Sequence, residues 1–164
     1  EKIGSHTPSG PFRGGKYSLF EAGTHVPFIT YWKGKITPSN SQAIVSQVDL
    51  LASLAALVGM PIQSQDSKAL LAVFLGTSEQ GREELILEAS TKTAYRKGDW
   101  VMIPPYNGAA ISKSVNIELG NSKTYQLYNL KDDIGQEQNL ATANPDKLQE
   151  MIVGFEAIRG TTYK

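Results

Sequence analysis

The apolar positions of this chain change period several times, and each change predicts an element. Val26 to Trp32 is a nearly continuous apolar and aromatic run with a proline near its start, at Pro27. That pattern suits a strand buried on both faces, as in a parallel sheet. From Val48 the spacing becomes helical. Val48, Leu51, Ala55 and Val58 fall three and four residues apart with Leu54 beside them, Ser46 and Asp49 make a box-like start, and Gly59 and Pro61 close the element. The stripe predicts a helix that covers a sheet, with Asp49 a cap rather than a metal ligand.

Beyond a Gln- and Ser-rich connection at residues 63–67 the pattern turns to β. Glu84–Ala89 is a short strand, and Thr93–Lys97 and Trp100–Pro104 flank Gly98-Asp99, the chemistry of a tight hairpin. Val115, Ile117 and Leu119 alternate with Asn116 and Glu118, and Tyr125–Leu130 follows across Gly120-Asn121. The chain closes on a helix capped by Asn144 with Pro145 in its first turn. Leu148, Met151, Ile152, Phe155 and Ile158 form one face, and Gly160 ends it. Short strands in an antiparallel meander plus one amphipathic helix make a two-layer α+β unit, in which the helix buries the sheet's apolar face.

Composition narrows the possibilities. Sixteen basic residues balance sixteen acidic ones among 164, so no net field steers the chain to nucleic acid or an anionic membrane. No apolar run reaches the ~20 residues of a membrane span; the longest are near Leu50–Val58 and Leu70–Leu75. Cysteine is absent, which excludes disulfides, thiolate metal sites and a cysteine nucleophile within these residues. The chain starts at Glu1 without an initiator Met or a signal-peptide pattern, and is expected to be a piece of a longer protein.

Candidate chemistry concentrates in Gly10-Pro11-Phe12-Arg13-Gly14-Gly15-Lys16. Adjacent glycines let the backbone approach a ligand that a Cβ would obstruct, while Arg13 and Lys16 bracket them with a rigid fork of donors and a mobile point charge. This is the pattern of a sulfate, phosphate or carboxylate site. Asp132, Asp133 and Glu137 lack the spacing of an EF-hand loop and read as a solvated acidic turn. Trp100, Tyr95 and Tyr106 suit either a sugar-binding surface or hairpin packing.

The sequence after Lys16 resembles the second half of the type I sulfatases, the formylglycine-dependent arylsulfatase family. Arg13-Gly14-Gly15-Lys16 matches that family's Leu/Phe-Arg-Gly-x-Lys segment, and Phe20-Glu21-Ala22-Gly23 its aromatic-Glu-x-Gly turn. Val26-Pro27-Phe28-Ile29 and Trp32-Lys33-Gly34-Lys35-Ile36 match the strand and exit that follow. Val45-Ser46-Gln47-Val48-Asp49-Leu50-Leu51 resembles the family helix Val-Ser-x-Val-Asp-Leu-x-Pro-Thr, with Ala52-Ser53 in place of Pro-Thr. Tyr95–Trp100 resembles the hairpin of the family's C-terminal subdomain. Leu127-Tyr128-Asn129-Leu130 through Glu137-Gln138-Asn139-Leu140 resembles Leu-Tyr-Asp-Leu…Asp-Pro-x-Glu-x-x-Asn-Leu, with Asp133-Ile134 at the Asp-Pro step.

The resemblance implies an α/β, alkaline-phosphatase-like fragment. Residues 1–76 would be the tail of the main sulfatase domain, and residues 77–164 the small C-terminal subdomain, an antiparallel sheet packed on a helix. It implies a sulfuric-ester hydrolase acting on a sulfated small molecule or glycan, with Lys16 as the catalytic residue that contacts sulfate and Arg13 and His6 as substrate-binding residues. His25 stands where relatives carry Arg and is expected to be structural. The family's formylglycine nucleophile arises in Cys/Ser-x-Pro-Ser/Ala-Arg; here Thr7-Pro8-Ser9 only echoes it, with no arginine following. Formylglycine, Ca²⁺ and the acidic Ca²⁺ ligands are therefore implied for an upstream sulfatase domain, with no metal ligand in this chain, and the chain alone is expected to be inactive. Resemblance to bacterial glycan sulfatases implies a periplasmic or extracellular location. The rival readings are a phosphonate or phosphodiester hydrolase of the same superfamily, and a non-catalytic module that binds glycans or a partner.

Overall fold

The computed structural model describes residues 8–160. They group into two compact units: Pro27–Glu83 forms one, and the residues before it join those from Glu84 onward to form the other.

The second of these is built on a four-stranded antiparallel sheet. Its strands are β1 (Glu84–Ala89), β2 (Lys92–Lys97), β3 (Trp100–Ile103) and β6 (Gln126–Asn129), adjacent in that order. Ser90 and Thr91 both take positive φ to close the β1–β2 hairpin, and Gly98 does so at the start of the β2–β3 turn. Between β3 and β6 a small ribbon pairs β4 (Ile111–Ser112) with β5 (Ile117–Glu118), so the alternating run around Val115–Leu119 shortens to two paired residues. Helix α3 spans Pro145–Arg159.

Period-two alternation sends neighbouring side chains to opposite faces. Tyr95, Met102 and Leu127 stand in one cross-strand row and pack with Met151 and Phe155 of α3. Gly154 lets the helix approach, since a Cβ there would lie 2.5 Å from the Tyr95 hydroxyl. Ile158, expected on the buried face, is exposed in the last turn of α3. On the other face Ala94, Ile103 and Tyr128 pack with Leu19 and Phe20. The sheet is thus covered on both sides, by α3 and by the loop that follows Lys16. Asn139 completes the edge of β6: its Oδ1 accepts from the Leu127 amide at 3.0 Å, and the Leu140 amide donates to the Leu127 carbonyl at 2.8 Å.

The Pro27–Glu83 unit departs from the sequence expectation in two places. Val26–Trp32 is not a strand; it runs as irregular chain with Ile29 and Tyr31 more than 80% exposed. A strand needs neighbours for its N–H and C=O groups, and no described residue pairs with this segment. The second difference is the orientation of α1 (Asp49–Leu57). Its buried face is Asp49, Ala52 and Ser53, while the stripe Val48, Leu51, Leu54 and Val58 points outward. The inward face is held by polar contacts. Asp49 accepts from the Ser46 amide (2.9 Å), the Lys68 amide (2.9 Å) and both Nε and Nη2 of Arg82 (2.8 and 2.5 Å). Ser53 Oγ accepts from the Leu70 amide at 2.8 Å, just before a single helical turn, α2 (Leu71–Phe74). Burial pushes the Asp49 carboxyl up, but hydrogen bonds from Arg82, Lys68 and Ser46 prevail and hold it below the usual value.

Candidate functional site

The Arg13–Phe20 loop is shaped by close backbone packing. Gly14 has φ +84°, and a Cβ on it would fall 2.3 Å from Ser18 Oγ. A Cβ on Gly23 would fall 2.0 Å from the Ser18 carbonyl oxygen, and one on Gly15 would press against Ile117. Three amides pin the loop: Ser18 donates to the Gly15 carbonyl (2.9 Å), Leu19 to the Leu119 carbonyl (3.0 Å) and Ala22 to the Arg13 carbonyl (3.0 Å). Ser18, Leu19 and Phe20 are buried, whereas Lys16 and Tyr17 are left on the outside.

Two ion pairs hold the ends of the loop. Arg13 donates from Nε and Nη2 to the two Glu118 oxygens at 2.8 and 2.7 Å, and from Nη1 to the Gln136 carbonyl at 2.6 Å. Its guanidinium also lies 4.1 Å from the Phe20 ring centroid. The hydrogen bonds from Arg13 hold the Glu118 carboxyl below its ordinary range, and those to Glu118 raise Arg13 in turn. At the other end, buried Glu21 opens a 3₁₀ turn (Glu21–Gly23); its Oε1 accepts from Arg96 at 2.7 Å and lies 2.9 Å from His25 Nδ1. His25 stacks on Phe12 at 4.3 Å, in keeping with a structural role. The Gln136 side chain accepts from the Glu21 amide at 2.7 Å.

Lys16 therefore projects from a fixed turn. It has no carboxylate partner among the described residues, and its Nζ stands 5.0 Å from the Tyr17 ring centroid. Arg13, its companion in the motif, is instead engaged with Glu118 and Gln136, beside an open cleft lined by Pro11, Arg13, Glu118, Gly135 and Glu137. His6 lies outside the described residues. In the acidic turn, Asp133 accepts from the Glu137 and Gln138 amides at 3.0 and 2.8 Å. Of the three aromatic residues, Tyr95 is buried under α3, Tyr106 exchanges hydrogen bonds with Thr93, and Trp100 packs on the α3 cluster, so hairpin packing accounts for them.

Sequence reasoning did not single out Glu118, Arg96 or Gln136, which hold the loop from 75 to 123 residues away. Glu21 and Arg96 carried a signal only as parts of the aromatic-Glu-x-Gly turn and of the Tyr95–Trp100 hairpin.

The sulfatase family model matches residues 4–60. The chain is 39% identical over 163 residues, 97% of its length, to an N-acetylgalactosamine-6-O-sulfatase of Bacteroides thetaiotaomicron. A solved structure described with the metabolism of multiple glycosaminoglycans by that bacterium superposes with a TM-score of 0.88 at 39% identity, over 94% of this chain and 33% of that one. The chain belongs to the sulfatase family. Human arylsulfatase A is 30% identical over 162 residues, 87% of this chain. The chain spans about a third of the length of these sulfatases: 32% of each of the two curated relatives. The antiparallel sheet with its C-terminal helix is the part of the sulfatase fold seen here.

Two groups that the family implies find no holder in these residues. Ser9-Gly10-Pro11-Phe12-Arg13 has the spacing of the nucleophile motif, but Phe12 stands at its fourth place and its arginine is bound to Glu118. Among the described residues no three His, Asp or Glu side chains converge to hold a metal ion. Neither formylglycine nor Ca²⁺ therefore fits the described side chains. No helix of the described residues is long and apolar enough to cross a membrane.

Proposed function

We propose that these residues are the C-terminal third of a sulfuric-ester hydrolase, and that Lys16 is its contact to the substrate sulfate. The observation that carries this reading is an outward lysine without a carboxylate partner among the described residues, on a turn held by two ion pairs. Its ammonium would neutralise charge on the sulfuryl oxygens and on the departing alkoxide, an electrostatic contribution available without reorganisation of the turn. Arg13 assists by holding the loop through Glu118 and Gln136; the cleft beside it leaves room for a substrate group. The formylglycine nucleophile and Ca²⁺ belong to an upstream domain, and the chain by itself has no turnover.

Residues 1–76 complete the main domain of that enzyme and residues 77–164 form its small subdomain, with the stretch before Pro27 packed on the sheet of that subdomain. The apolar surfaces of Val26–Trp32 and of the α1 stripe support this, because contiguous exposed apolar area marks a face that another element covers. The substrate class is a sulfated sugar, with N-acetylgalactosamine 6-sulfate the first to try, given the named activity of the Bacteroides relative. The location is periplasmic or extracellular.

The test is Lys16→Ala in the full-length protein that contains this chain. A fall of at least 100-fold in kcat/KM on the sulfated sugar, with an unchanged melting temperature, is the expected result. Undiminished turnover would remove Lys16 from the site. Hydrolysis of a phosphonate monoester in preference to every sulfate ester would replace the sulfatase reading by its superfamily rival.

A further inference from the structure

Tyr17 holds φ at +74° although it carries a large side chain, and the residue is 57% exposed. A left-handed backbone is unfavourable for a residue with a bulky Cβ substituent, and glycine would adopt it without strain. The rest of the loop explains why the conformation persists. Ser18 is tied to Gly15, and Leu19 and Phe20 are buried against the sheet, so the chain must reverse between an exposed Lys16 and a buried Ser18. That accounts for the backbone but not for the side chain, since glycine would serve the turn better. The ring has no hydrogen bond to the fold among the described residues, and Lys16 Nζ lies 5.0 Å from its centroid.

We infer that Tyr17 is a substrate-positioning platform, a flat apolar surface on which the sugar bearing the sulfate stacks while Lys16 takes the sulfate itself. This rests on the assignment of Lys16 proposed above. Pyranoses present a face of C–H bonds that packs on an aromatic ring, and such a ring immersed in water loses little by being covered. A cation and an aromatic face at adjacent positions match a ligand that is anionic at one end and a ring at the other. The ring also keeps the ammonium close through its electrostatic attraction for the cation. Lys16 thus recognises the ester group and Tyr17 selects what carries it.

The experiment compares Tyr17→Gly and Tyr17→Phe in the full-length enzyme. Glycine removes the ring and suits the backbone, so folding is preserved; phenylalanine keeps the ring and removes only the hydroxyl. The probes are 6-sulfated N-acetylgalactosamine as substrate and inorganic sulfate as inhibitor. Tyr17→Gly should raise KM for the sugar roughly three- to tenfold with kcat little changed, while the inhibition constant for sulfate moves less than twofold. Tyr17→Phe should resemble the parent on both. An unchanged KM for the sugar in Tyr17→Gly overturns the platform. So does an equal rise in both constants, which would mean that the ring acts only on Lys16. A parent enzyme that hydrolyses no sulfate ester would instead sink the sulfatase reading, and this inference with it.

Discussion

Arg13 and Glu118 are 105 residues apart in sequence, yet the guanidinium meets the carboxylate through two hydrogen bonds of 2.8 and 2.7 Å. This pair fastens the start of the Lys16 loop to the β4–β5 ribbon. Replacing Arg13 by Lys keeps the charge but loses the two-pronged geometry. Because both side chains are partly exposed, the expected cost in unfolding free energy is only about 1 kcal/mol, measured by urea titration. The larger effect should be on the loop: limited proteolysis near Lys16 should accelerate in the variant.

The same pair sets an acid sensitivity. Hydrogen bonding to Arg13 lowers the Glu118 pKa in the folded state, so the folded state binds this proton more weakly than the unfolded one. Its contribution to stability is complete above the ordinary glutamate value of about 4.3 and is lost as pH falls through the lower folded value. Glu118→Gln should remove that component. Its stability curve should run parallel to the parent's between pH 6 and 8 and show a shallower loss below pH 4.

Asp49 and Arg82 form the buried pair of the Pro27–Glu83 unit. Asp49→Asn leaves the guanidinium without its counter-charge, and a cost of about 3–5 kcal/mol is expected. The double variant Asp49→Asn with Arg82→Gln should recover part of it. Simple addition of the two single effects in denaturant titrations would show that the pair is not coupled.

Two glycines should respond differently to alanine. At Gly23 the new methyl would sit 2.0 Å from the Ser18 carbonyl oxygen, so the turn must move, at a cost of about 2 kcal/mol or more. At Gly98 the space is open and only the φ of +57° is unfavourable, for about 1 kcal/mol. Thermal melts of the two variants should rank them in that order.

The α1 stripe offers a check on the proposed domain arrangement. Leu54→Asp in the full-length protein should destabilise by about 2–3 kcal/mol if another element covers this helix face. A change within about 0.5 kcal/mol would mean that the stripe faces water there as well.

The sheet and α3 were legible because their signals are local. The short Glu84–Ala89 strand, the Gly98-Asp99 turn and the Asn144-Pro145 start each depend on a few neighbouring residues, although the Asn144 side chain makes no capping hydrogen bond. Leu148, Met151, Ile152 and Phe155 were placed correctly against the sheet by helical spacing alone. Val26–Trp32 was misread as a strand of this chain because composition reports what a segment would bury, and says nothing of whether a neighbour is there to bury it. The α1 stripe failed for the same reason: its apolar positions were recognised, but the Asp49–Arg82 pair turned the helix the other way in.

The sequence alone determined where charge and glycine meet in the Lys16 loop, and the resemblance it carries pointed to the sulfatase family. Tertiary structure decided what each of those groups does. Gly14 and Gly23 are there because Ser18 packs too close for a Cβ. Arg13 and Lys16 look equivalent as letters, but Arg13 finds Glu118 on a distant ribbon while Lys16 is left facing outward. Ion pairs between residues so far apart depend on how the sheet is closed, and no local pattern encodes that closure.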